Sequence, residues 1–181
     1  MDETEDDGRA PVVTGFDGSV QAEAALRYAI AEGARRARSV RVVVAHEPPD
    51  AWMSAYGLPL LADSGEIRRA VEDTARARVE EIRGEFSAAQ RAVPVEVAAI
   101  TGSAAFVLTQ QAQGAELLVV GHRGRGPLRS ALLGSVGLSV VLRAPCPVTV
   151  VRPTCTDRHA MEDHATEDDV SIPASPLVPI G

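Results

Sequence analysis

Five short, mostly β-branched apolar runs alternate with segments of helical period, and this alternation most narrows the folds open to the chain. The runs lie at 11–16, 40–45, 94–100, 116–120 and Val148–Val151. Between them, apolar residues recur every three to four positions: Ala22, Ala25, Leu26, Ala29 and Ile30, then Ile67, Val71, Val79, Ile82 and Phe86. Period two or an unbroken apolar run marks a strand, and period 3.6 marks a helix. The expected helices span about 20–37, with Ser19 as N-cap, then about 65–91, about 103–114 and about 135–143. Strict alternation of this kind predicts an α/β fold, a doubly wound five-stranded parallel sheet with helices on both faces, Rossmann-like in architecture. Only 3% of residues are aromatic, so the core must come from Val, Leu, Ile and Ala.

Ligands of such sheets bind beyond the carboxyl ends of the strands, at the topological switch point. Three of those ends are polar or glycine-rich: Gly15–Ser19, His46-Glu47 and Gly121–Gly126. The stretch from Leu117 to Gly137 brings a buried strand to a glycine-rich loop and then, at Gly134-Ser135, to a helix start. A helix start favours an anion through its free N–H groups and its dipole. Gly121 and Gly124 let the backbone come close to a ribose or phosphate. The amides of Ser135 and Val136 and the Ser135 hydroxyl can donate to phosphate oxygens. The 181 residues contain no lysine at all. That excludes a lysine Schiff base and a Walker-type P-loop, so backbone, hydroxyl and arginine must hold any phosphate.

The net charge of −7 is unevenly spread. Residues 1–9 carry −4 and 153–181 carry −5, whereas 10–152 carry +2. A near-neutral body offers no broad electrostatic footprint for nucleic acid. No apolar run reaches the roughly 18–20 residues of a membrane span, and the acidic N-terminus lacks the layout of a secretory signal. A soluble, cytoplasmic protein is expected, with 1–9 a disordered acidic leader, 10–152 the single domain and 153–181 a disordered, acidic, Pro-rich tail. Residues 48–64 hold three prolines and the only Trp, and read as a binding or mobile loop. Cys146 reads as a small buried residue. Cys155, His159 and His164 form no ligand set, so no tightly held metal site is expected.

Gly121-His122-Arg123-Gly124, nine residues, then Gly134-Ser135 is the pattern G-x2-G-x9-G-[ST]. Together with the GFDGS turn after the first strand, it resembles the nucleotide-binding universal stress proteins over about residues 10–152. The resemblance implies strand order 3-2-1-4-5, ATP binding, and a homodimer formed through Val148–Val151. It also places Asp17 beside adenine and ribose, with the backbone of Gly15, Phe16 and Val120 nearby. The main chain of Glu47, following His46, would contact adenine, although the family usually has an apolar residue there. Arg123 could meet a phosphate or stack on the base. His122 reads as a solvated loop residue, and Arg125 and Arg129 as solvated or as a source of positive potential.

Phosphoryl transfer needs charge neutralisation and a positioned base or water, and neither a lysine nor a Walker B carboxylate is available. Asp17 could assist a Mg ion on the phosphates, which leaves at most slow hydrolysis. The expected function is therefore an ATP-binding regulatory module for stress responses, with no catalytic residues. The alternative is a dimeric interaction module of the same fold with an unoccupied pocket. An ATP-dependent ligase or pyrophosphatase is disfavoured, because Gly15-Phe16-Asp17-Gly18-Ser19 is not the Ser-Gly-Gly-x-Asp-Ser loop such enzymes carry.

Overall fold

A computed structural model of the chain describes residues 9–47, 64–124 and 133–153. The expectations for the acidic leader, the 48–63 segment, Arg125, Arg129, Cys155 and the tail lie outside the described residues. The elements are β1 (Val12–Gly15), α1 (Val20–Arg36), β2 (Val40–His46), α2 (Ser64–Gly84), α3 (Ala88–Arg91), β3 (Val95–Thr101), α4 (Ala104–Gln111), β4 (Leu117–Gly121), α5 (Ser135–Arg143) and β5 (Val148–Val151). The five strands form one parallel sheet in the order β3-β2-β1-β4-β5, as the sequence predicts. Val12 pairs with Val40 on one side and Leu117 on the other, and Val40 pairs in turn with Val95.

Alternation along β1 divides the core between the two faces of the sheet. Val12 and Phe16 belong to a cluster with Leu26, Ile30, Val79 and Ile82 from α1 and α2. Val13 belongs to a second cluster with Val107, Leu108, Leu118 and Val140, which draws in α4 and α5. No helix among the described residues is long and apolar enough to cross a membrane.

The start of α1 is fixed by local chemistry. Ser19 Oγ accepts from the Ala22 N–H at 3.2 Å, and Asp17 Oδ1 accepts from the Ser19 N–H at 3.0 Å. The helix ends at Ala37, whose φ of 52° is left-handed, with the Arg38 N–H donating to the Gly33 carbonyl. On the face toward α2, Arg78 reaches the buried Glu23 at 2.8 Å and also Glu81. Arg27 grips Glu85 through two hydrogen bonds, at 2.7 and 3.0 Å.

Two sequence expectations need correction. The single helix over 65–91 is two helices, α2 ending at Gly84 and α3 beginning after Ser87. Gly84 weakens the helix, and Ser87 starts a new one: Gln90 Oε1 accepts from its N–H at 3.4 Å and from its hydroxyl at 2.9 Å. Cys146 is half-buried rather than buried, and its packing pushes the thiol above its ordinary value.

At the opposite end of the sheet from the glycine loop, Glu32 accepts from Arg35 and Arg36, and Glu116 accepts from Arg36 and Arg38. The hydrogen bonds from Arg35 and then Arg36 hold the Glu32 carboxyl down at about 2, against an ordinary 4.5. A depressed folded-state value stabilises the protein above the unfolded value, and that contribution is lost as pH falls from about 4.5 toward about 2. Glu32→Gln should therefore lose less stability than the parent as the pH is lowered through this window, measured by urea denaturation. Parallel curves would show that the Glu32 contact contributes nothing.

Candidate functional site

The carboxyl ends of β1, β2 and β4 meet the N-termini of α4 and α5 around a cavity of about 330 Å³. One wall is apolar: Phe16 after β1, Val43 and Ala45 from β2, Ala104 and Leu108 from α4, and Val120 from β4. The opposite wall is backbone-rich, formed by Gly121, Gly124 and the stretch from Gly134 to Gly137, with Arg123 and Asp17 at its margin. Ten of the eleven residues singled out from the sequence therefore share one cavity: Gly15, Phe16, Asp17, Val120, Gly121, Arg123, Gly124, Gly134, Ser135 and Val136. Glu47 is exposed just beyond β2 and is absent from this lining.

Sequence reading missed Ala22, Val43, Ala45, Ala104, Leu108 and Gly137. Their signal was present but indirect. Val43 lies opposite Gly15 in the sheet register, and Ala45 follows two residues later on the same face. Ala104 follows the Thr101-Gly102-Ser103 turn at the carboxyl end of the third strand. Strand order must be known before these positions converge.

The glycines of this crest have different physical reasons. A Cβ on Gly121 would lie 2.7 Å from the Gln21 carbonyl oxygen and 2.8 Å from its carbon, so the close passage of α1 requires glycine there. This is a packing reason beside the expected access for a ligand, since Gly121 also lines the cavity. A Cβ on Gly124 would sit 2.7 Å from Asp17 Oδ2, which places that carboxylate directly against the glycine loop. At Gly134 the nearest atom to an added Cβ is Arg123 Cα, at 3.4 Å, and φ is an ordinary −66°. Among the described residues, neither crowding nor backbone strain calls for a glycine at this position.

Gly134 is the N-cap of α5 and offers no side chain to the helix. The first intrahelical bond runs from the Leu138 N–H to the Gly134 carbonyl, at 2.9 Å. The amides of Ser135, Val136 and Gly137 precede it, have no intrahelical acceptor, and lie on the cavity wall. Such a terminus can take an oxyanion, and the Ser135 hydroxyl adds a donor. The apolar wall suits a flat, uncharged ring. Together the two halves can take a ligand with an apolar ring at one end and an anionic group at the other.

His122 links the loop to its surroundings. Its N–H donates to the Val151 carbonyl at 2.8 Å, and its own carbonyl accepts from the Gly134 N–H at 2.9 Å. The sequence expectation of a solvated residue is corrected, because the ring is half-buried and its Nδ1 is shut off from solvent. Burial pushes this imidazole below its ordinary value, helped by the charges of Arg123 and Arg152. It is neutral at pH 7 and adds no positive charge to the loop. Among the described residues no group of three or more His, Cys, Asp or Glu side chains gathers to hold a metal.

The sequence profile of the universal stress protein family matches residues 9–152. A universal stress protein of Mycolicibacterium smegmatis (strain ATCC 700084 / mc(2)155) is 34% identical over 152 residues, covering 84% of this chain but 49% of that protein. This chain thus spans about half the length of that relative. One from Thermus aquaticus, named for its position in the QAH/OAS sulfhydrylase 3′ region, is 33% identical over 143 residues, covering 78% of this chain and 97% of its own length. Among solved structures, a universal stress protein in complex with cAMP superposes with a TM-score of 0.53 at 25% identity, covering 80% of this chain and 97% of that one.

Proposed function

This chain belongs to the universal stress protein family, and from that premise we propose that its crest cavity binds an adenine nucleotide, ATP in the first instance, as a regulatory signal. The observation that carries this reading is Gly134, a helix N-cap without a side chain, at a position where the protein itself leaves room for one. Adenine lies against Val43 and Val120, beside the backbone of Phe16. The ribose lies toward Asp17, and the phosphates are held by the amides of Ser135 to Gly137 and by the Ser135 hydroxyl, with Arg123 at the margin. The cAMP bound by a structural relative belongs to the same chemical class. A Mg ion accompanying the phosphates would find a carboxylate in Asp17. With no lysine in the chain, hydrolysis is incidental and occupancy is the signal.

Isothermal titration of the nucleotide-free protein with ATP tests this reading. One site per chain is expected, and Ser135→Ala should weaken it about tenfold, the loss of one hydrogen bond to a charged group. Absence of heat with the parent protein, or an unchanged affinity in the variant, would count against the assignment.

The module acts in the cytoplasm as a homodimer. Among the described residues β5 is an edge strand paired only with β4, and Val150 on it is 36% exposed. Antiparallel pairing of Val148–Val151 with its copy across a two-fold covers this edge. Light scattering at micromolar concentration should give twice the chain mass, and a monomer would contradict the dimer.

A further inference from the structure

The helix α5, SVGLSVVLR, has no charged residue before Arg143. Its inner side supplies Gly137 and Val140 to the core. Its outer side carries Leu138 at 51% exposed, Val141 at 46% and Leu142 at 74%. Spacings of three and four place these on one stripe. A helix apolar on both sides requires cover on both.

The chain itself supplies a fitting occupant. It leaves the described residues at Pro153, beside the start of α5: the Val151 carbonyl accepts from His122, whose carbonyl accepts from Gly134. The segment that follows holds six acids up to Asp169, then none. Residues 170–180 read VSIPASPLVPI, uncharged and largely apolar. Pro173, Pro176 and Pro179 recur every three residues, the period of a polyproline II helix, so Ala174, Leu177 and Ile180 share a second edge. Polyproline II needs no ladder partner and can lie along a helix, whereas the prolines prevent this segment from extending the sheet at β5.

We propose that residues 170–180 dock on their own chain along the outer stripe of α5, on Leu138, Val141 and Leu142, with the acidic stretch before them as the tether. At random-coil dimensions sixteen residues would reach roughly 20–25 Å, against about 14 Å for the whole of α5 at its helical rise. The segment is therefore present at an effective concentration of order millimolar. Arg143, at the end of α5, and Arg152, just after β5, are exposed and opposite in charge to the acidic tether.

A nitroxide on Val178→Cys in the full chain, with Cys146→Ser and Cys155→Ser, tests the contact. The methyl resonances of Leu138, Val141 and Leu142 should lose most of their intensity. The effect should vanish when the label sits on a separate chain mixed with the isotope-labelled one. No broadening, or broadening from the separate chain alone, which would mean a second copy covers the stripe, overturns the proposal. A second measurement needs no cysteine changes: deletion of 170–181 should speed amide exchange in α5 about tenfold, as expected for a face occupied about nine-tenths of the time. Leu177→Ser/Ile180→Ser should do the same, and unchanged exchange in both overturns it.

Discussion

Replacing Gly134 with aspartate should leave the protein folded and slightly more stable, yet lower its affinity for ATP about a hundredfold. The two effects have opposite signs for one physical reason. Among the described residues an added Cβ meets nothing closer than 3.4 Å, and φ is −66°, so the backbone accepts the side chain without strain. Aspartate is a better N-cap than glycine by a few tenths of a kcal/mol, and its charge suits the positive end of α5. That same carboxylate then occupies the place proposed for a phosphate. Two like charges about 4 Å apart repel by about 4 kcal/mol at an effective dielectric of 20. About 2.8 kcal/mol remaining after the side chain turns away gives the hundredfold loss. Thermal melting without nucleotide and calorimetric titration with ATP read the two signs separately. Unchanged affinity would remove the anion from the N-terminus of α5.

Gly121→Val should cost about 3 kcal/mol with no nucleotide present, at the upper end of what overpacking a tight contact costs. At roughly 2–4 °C per kcal/mol for a chain of this size, melting should fall by about 6–12 °C. The added carbon would lie 2.7 Å from the carbonyl oxygen of Gln21 and 2.9 Å from its Cβ. Gln21 cannot retreat easily. Ala22, Ala25 and Leu26, which follow it in α1, are buried, and the Ser19 and Asp17 caps pin the same turn. An unchanged melting temperature would show that packing against α1 is not what keeps a glycine at 121.

These two glycines, in one sequence pattern, show how far the sequence could be read. Spacing alone put Gly121, Gly124 and Gly134 together, and gave Gly121 and Gly124 the same reason. Only the path of α1 past Gly121, the Asp17 carboxylate against Gly124 and the open space at Gly134 separate their roles. The parallel sheet and its order were legible, because five apolar runs joined by helices leave few alternatives and the family resemblance chose among them. The break at Gly84 was not, since the apolar stripe of α2 continues to Phe86 and its period hides the turn. Val43, Ala45, Ala104 and Leu108 escaped because ordinary core residues become a cavity wall only through register. His122 was misjudged for a related reason. Its ring is buried by packing that spacing along the chain does not reveal.

The most direct test of the nucleotide assignment is an amide NMR titration of the nucleotide-free full chain with ATP. The largest shifts should fall at Gly15, Asp17, Gly121, Gly124 and the first amides of α5, from Ser135 to Gly137, and saturate at one nucleotide per chain. No shifts, or shifts confined to residues away from the β1, β4 and α5 termini, would contradict it.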